Sequence, residues 1–248
     1  WLIDDRVVAL RLVSAIPGAL TVPFLYLALR ELFDRRVAFF GAVLLALSCW
    51  AILLSRHGYV WAVNGFAEAV VLWALARGLR SRRMLDFAFA GAFLALGVVY
   101  SYAAALMPLV LAAFLALQLV LRGRSAVPLA GWGMVALTAA VGVAPRVTAM
   151  LTNPEMRGYQ KLALVAGGEE ESAATVVARQ LGEIAVSFHR RADANPHFVS
   201  APKEPLLDPV TAAALGLGIG WALWSWRQAG AQLLLLTFGV MLLPPAVG

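Results

Sequence analysis

Charge is scarce in this chain. Asp, Glu, Lys and Arg make up only 14% of its 248 residues, against about 25% in an ordinary soluble domain, and the mean hydropathy is +0.81. That balance excludes a water-soluble globular fold. Cysteine occurs once, at Cys49, so no internal disulfide can form and the redox compartment cannot be read from it. The three histidines, His57, His189 and His197, have neither the i, i+4 spacing nor the cysteine partners of a zinc site. No glycine-rich loop of the P-loop or dinucleotide type appears. Ser55, His57 and Asp208 can be assembled into a nucleophile, base and acid, but any long chain offers such a trio. Strict apolar and polar alternation is also missing, which argues against an outer-membrane barrel.

What the chain does have is long apolar runs. They fall near Ala9 to Leu29, Val37 to Ser55, Val60 to Ala76, Met84 to Tyr102, Ala104 to Leu121, Val127 to Pro145, Leu206 to Trp226 and Ala231 to Val247. At about 1.5 Å rise per residue, each can cross a hydrocarbon core roughly 30 Å thick. Lipid offers no partners to a bare backbone, so such segments must be helical. The expected fold is all-α: a polytopic transmembrane bundle of about eight helices with one extracytoplasmic loop region. Residues 1–146 hold the first six helices, 147–205 the loop segment and 206–248 the last two helices. The chain starts at Trp1 without an initiator methionine and is expected to be a piece of a longer protein.

Arginines orient the bundle. The loops "RELFDRR", "RGLRSRRM", "RGRS" and "RQAG" carry ten of the twenty Lys and Arg residues, while the alternate short loops carry Arg56 alone, beside Arg6 and Arg11 at the chain start. The positive-inside rule makes the first set cytoplasmic. The turn 56-RHGY-59 and the segment from Arg146 to Pro205 then face outward. Trp50 and Trp61 on one side, and Trp221, Trp224 and Trp226 on the other, fit interfacial aromatic belts. The net charge of +6 and pI near 10.1 therefore report orientation and not nucleic-acid binding. In the outer segment Val177, Leu181, Ile184 and Phe188 share one helical face. Glu169 to Glu171 precede that helix and His189 to Arg191 follow it, as the helix dipole favours. It is an amphipathic helix that either rests on the surface or lids an outer site.

Two features carry possible chemistry. Glu68 lies near the middle of the third run, where an acidic side chain costs about 2.5 to 3.5 kcal/mol, so it should face the bundle interior with Asn64 one turn away. Its role there is structural or catalytic. Arg56 sits at the outer mouth, where a guanidinium can hold a planar pair of anionic oxygens or snorkel to lipid phosphates. Arg11, Arg146, Tyr100 and Tyr102 lie at about the same depth. Together they suit a phosphate-linked substrate arriving from the bilayer.

Several stretches resemble the membrane core of the GT-C glycosyltransferases, of the family 39 type that includes protein O-mannosyltransferases and aminoarabinose transferases. The likeness runs through Arg11 to Gly18, the basic loop Leu32 to Arg36, and Leu45 to Arg56 in that order. "FAGAFLALGVVYSYAAALMPLVL", "NPEMRGYQKLALV" and "ADANPHFVSAPKEPLLDPVTAAALGLG" continue it along the chain. The resemblance implies transfer of a sugar from a polyprenyl-phosphate donor to a glycan, lipid or protein acceptor, outside a bacterial inner membrane. It also implies a carboxylate base on the acceptor, and places Arg56 at the donor phosphate with His57 and Tyr59 beside it. The family's acidic motif follows its first membrane helix. Asp4 and Asp5 do not match it, so the base is expected upstream of Trp1. No cofactor is implied beyond a possible divalent cation. The competing readings are a multi-pass transporter or lipid flippase, suggested by Glu68, Asn64 and the helix-breaking Pro17, Pro23 and Pro108, or a non-catalytic relative.

Overall fold

The computed structural model describes residues 6–56, 61–101, 103–153, 182 and 207–242. Helices form at each of the eight apolar runs: α1 (Arg6–Leu32), α2 (Arg35–Leu47), α3 (Cys49–Arg56), α4 (Trp61–Ser81), α5 (Met84–Tyr100), α6 (Met107–Arg122), α7 (Leu129–Thr152), α8 (Pro209–Trp224) and α9 (Ala229–Met241), with a 3-10 turn at Ala103–Leu106 before α6. No strand occurs among the described residues. Four helices, α1, α4, α6 and α7, are long and apolar enough to cross a membrane, and the bent α2–α3 pair makes a fifth if counted as one span. The remaining three, α5, α8 and α9, are apolar but have 17, 16 and 13 residues. Length and composition thus establish four or five crossings where eight were expected. The expected amphipathic helix from Val177 to Phe188 lies, apart from Gly182, outside the described residues.

Two runs differ from expectation for local reasons. The second, expected as one helix to Ser55, breaks by 57° between α2 and α3. Ser48 is extended there (φ −64°, ψ 118°) and ends α2. Its Oγ then accepts from the Ala51 amide at 3.5 Å and its carbonyl from the Ile52 amide at 3.1 Å, so the same residue starts α3. The sixth run, expected to stop at Pro145, continues to Thr152. A proline removes one backbone bond, and in a membrane the freed group is re-satisfied locally while no water competes. Thr148 Oγ1 donates to the Ala144 carbonyl at 2.9 Å within that stretch.

The helices form a row in the order α2 and α3, then α1, α4, α5 and α7, each packed on the next, and α6 with α9 covers one face of it. The shared core includes Leu75, Phe87, Met107, Val110, Phe114 and Leu233, all nearly inaccessible. Small residues let the backbones approach closely, as membrane packing requires. At Gly91 an added Cβ would lie 3.0 Å from the Val135 backbone carbon of α7. A buried amide pair, Gln118 Nε2 donating to Gln232 Oε1 at 2.6 Å, ties α6 to α9. Outside, the apolar surface remains exposed: Leu85 and Val120 are each 81% accessible. Such a surface suits hydrocarbon and not water, and the protein is an integral membrane protein.

The arginine-rich end is pinned by its own loops. Asp34 Oδ1 caps α2 by accepting from the Arg36 and Val37 amides, and Arg80 pairs with Glu31 at 2.9 Å. Arg82 holds the tight α4–α5 turn in the left-handed region (φ 59°) and reaches the Ala126 carbonyl at 3.0 Å. Trp221, Trp224 and Trp226 stand exposed at the same end.

Candidate functional site at the arginine-poor end

Helix direction alternates along the chain, so the start of α1 and the end of α3 meet at the end opposite the arginine-rich loops. Ser14 makes the meeting specific. It is fully buried, and its hydroxyl oxygen lies 3.0 Å from the Arg11 carbonyl and 2.8 Å from the Ser55 carbonyl, linking the turn that carries Arg11 to the residue before Arg56. Gly18, one turn on, allows the approach, because a Cβ there would lie 2.7 Å from Ser55 Cβ. Ser55 Oγ in turn donates to the Ala51 carbonyl at 2.6 Å, which keeps its polar atom inside α3. The turn of α1 that bears Arg11 therefore adjoins the last turn of α3, which bears Arg56, and both arginines are exposed.

Arg146 and Tyr100 are brought together elsewhere. Arg146 Nη1 donates to the carbonyls of Val98, at 3.0 Å, and of Val99, at the end of α5. A cation at a helix C-terminus answers both the unpaired carbonyls and the dipole. Tyr100, 54% exposed, follows directly. Because α4 and α5 stand between α1 and α7, and neighbouring helices lie about 8–10 Å apart, the four described candidates form two groups along the row. His57, Tyr59 and Tyr102 lie outside the described residues, as do Asp4 and Asp5.

Glu68 faces the bundle from α4, with Asn64 Nδ2 donating to its Oε1 at 2.9 Å. The Asn64 Oδ1 is buried and finds no hydrogen-bond partner among the described residues. The i, i+4 spacing expected to put both on one face does so. Among the described residues no three His, Cys, Asp or Glu side chains come together as a metal site would require.

Ser14 and Ser48 belong to the family-like stretches Arg11 to Gly18 and Leu45 to Arg56, but the sequence assigns neither a role. Each is a small polar residue inside an apolar run, and its importance appears only once the carbonyl or amide it meets is known. Chemically, the Arg11 and Arg56 pair offers charge and planar N–H donors at the membrane boundary, suited to anionic oxygens.

Comparison with known families matches residues 1–149 to the family model described as dolichyl-phosphate-mannose-protein mannosyltransferase. No curated protein and no solved structure matches the chain.

Proposed function

Because the chain belongs to the dolichyl-phosphate-mannose-protein mannosyltransferase family, a family of membrane glycosyltransferases, we propose that it transfers a sugar from a polyprenyl-phosphate donor to a hydroxyl-bearing acceptor on the extracytoplasmic side. The observation that supports this reading is the junction at Ser14, which ties the turn of α1 that carries Arg11 to Ser55, the residue before Arg56. In the reaction the bond from the sugar's anomeric carbon to the phosphate oxygen breaks. The acceptor oxygen forms the new bond from the opposite face, inverting the centre, and its proton passes to a carboxylate base. The lipid phosphate leaves with more negative charge than it had in the donor. Guanidinium groups at the donor phosphate stabilise that charge more strongly in the transition state than in the ground state, which is the condition for catalysis.

His57 and Tyr59, next in sequence to Arg56, are proposed to line the same donor site. Arg146 and Tyr100 belong to the outward face, and the structure engages Arg146 with the end of α5. The general base is not assigned to any described residue.

The test is steady-state transfer from a polyprenyl-phosphate sugar by the full-length protein in proteoliposomes. Losing a charged hydrogen bond costs about 1.5–3 kcal/mol, so kcat/KM should fall roughly 10- to 100-fold in Arg56→Ala. The fall in Arg11→Ala should be smaller, and the double variant should not be additive. Unchanged turnover in both single variants would remove the two arginines from the mechanism. Counterflow of intact donor without bond cleavage would favour a transporter, the reading to which Glu68 and Asn64 lend weight.

A further inference from the structure

A groove of about 420 Å³ runs between α5, α6 and α7, away from the Arg11 and Arg56 pair. Helices α6 and α7 follow each other in the chain, yet their backbones stand apart along the span while α5 and α7 pack closely. Small side chains leave the space open: Ala112 on α6 faces Ala136, Ala139 and Ala140 on α7. Trp132, with its ring 6.2 Å from Phe114, closes the end nearer the arginine-rich loops. At the other end lie Val98 and Val143, and just beyond them Arg146 is held by its bonds to the Val98 and Val99 carbonyls.

The dimensions select the occupant. From Trp132 to Val143 α7 rises about 16 Å, roughly half of a 30 Å hydrocarbon core. Another helix, about 10–12 Å in diameter, would need at least roughly 1,200 Å³ over that length, well beyond what the groove offers. A single hydrocarbon chain fits, and the lining is almost entirely apolar. The charge at the mouth then selects the head group: a fixed guanidinium at Arg146, one turn past Val143, complements a phosphate. Tyr100 adds a phenol at the same level. The groove is also separate from the pair proposed to meet the sugar donor. Helix α4 stands between α1 and α5, the near wall of the groove, so two helix spacings, about 16–20 Å, separate α1 from that wall.

We propose that this groove holds one acyl chain of an anionic bilayer phospholipid, with its phosphate at Arg146. The bound lipid fills the space that α6 and α7 leave between them and so sets their separation. This is a second lipid site, independent of the sugar-transfer reading.

The experiment uses the full-length protein in vesicles of phosphatidylcholine and phosphatidylglycerol, with a photoactivatable group in the acyl chain of one lipid at a time. The crosslinked residues are located by mass spectrometry. Phosphatidylglycerol should label Ala136, Ala140 and Leu115 at least tenfold above the exposed reference positions Val120 and Leu217, and phosphatidylcholine should label them less. Arg146→Gln should abolish the difference between the two lipids, and Arg146→Lys should keep most of it. Leucine at both Ala136 and Ala140, which are exposed in the groove, should abolish groove labelling while thermal unfolding stays near that of the wild type. If these leucines unfold the protein, the Arg146 variants decide. Labelling no stronger than at Val120, or a lipid preference that survives Arg146→Gln, overturns the proposal. So does displacement of the label by polyprenyl phosphate but not by phosphatidylglycerol, because the groove would then belong to the sugar donor.

Discussion

Asp208 shows how a single exposed side chain can fix where an apolar helix begins. Its carboxylate accepts from the Thr211 hydroxyl and from the Thr211 and Val210 amides, the latter two at 3.0 Å. Those bonds, with the Thr211 hydroxyl foremost, hold its pKa below the ordinary 3.8. The charged form is therefore the one favoured by folding. Its stabilisation is fully present above 3.8 and is lost as pH falls through the lower folded value. Amide exchange in the first turn of α8 should accordingly be protected at neutral pH and speed up in acid below that range. In Asp208→Ala the same amides should exchange fast at every pH, and protection equal to wild type would contradict the cap. At this scale the charged residues were the legible ones. Arg11 and Arg56 stand out because charge is rare in the chain, and Glu68 because an acid inside an apolar run is costly. The contact of Ser14 with Ser55 was not legible, since nothing in a run of apolar residues says which carbonyl a serine will meet.

Helix contacts depend on small residues at a few crossings, and those crossings make separate predictions. At Gly91 a methyl group would press on the α7 backbone, which cannot rotate away as a side-chain tip could. Gly91→Ala should destabilise the protein by roughly 1–3 kcal/mol and lower its thermal unfolding temperature. Gly133→Ala, with no atom within 4 Å of the added Cβ, should not. Equal effects at both positions would contradict the described α5–α7 packing. The buried amide pair gives a second check. Gln118→Leu strands the Gln232 side chain, so it should cost about 0.5–2 kcal/mol. The double Gln118→Leu, Gln232→Leu variant should cost less than the two single changes summed, because no amide is left unpaired; additivity would mean the pair does not interact. Helix positions were legible from apolar length, because lipid leaves the backbone no other choice. The bend at Ser48 was not, since it depends on local bonds that a count of apolar residues does not see, and neither was the extension past Pro145, since a proline inside an apolar run reads as a stop.

At the scale of the whole molecule, the bundle separates its charges. The arginine-rich loops are knitted together by Asp34, Glu31 and the Arg82 turn, while the opposite end carries Arg11, Arg56 and Arg146 among the described residues. The alternation of loops announced that polarity in the sequence. The order of helices across the row did not appear there, and it is this order that sets Arg11 with Arg56 and leaves Arg146 with Tyr100 two helices away. An anionic lipid arriving laterally from the bilayer can reach the first pair at the membrane boundary without crossing the hydrophobic core, which is the physical basis of the donor site proposed here. The most direct measurement is equilibrium binding of polyprenyl phosphate and of uncharged polyprenol to the full-length protein in nanodiscs, for the wild type and for Arg56→Ala. The wild type should prefer the phosphate at least tenfold, about 1.4 kcal/mol, and Arg56→Ala should lose most of that preference. An undiminished preference in Arg56→Ala would contradict the account.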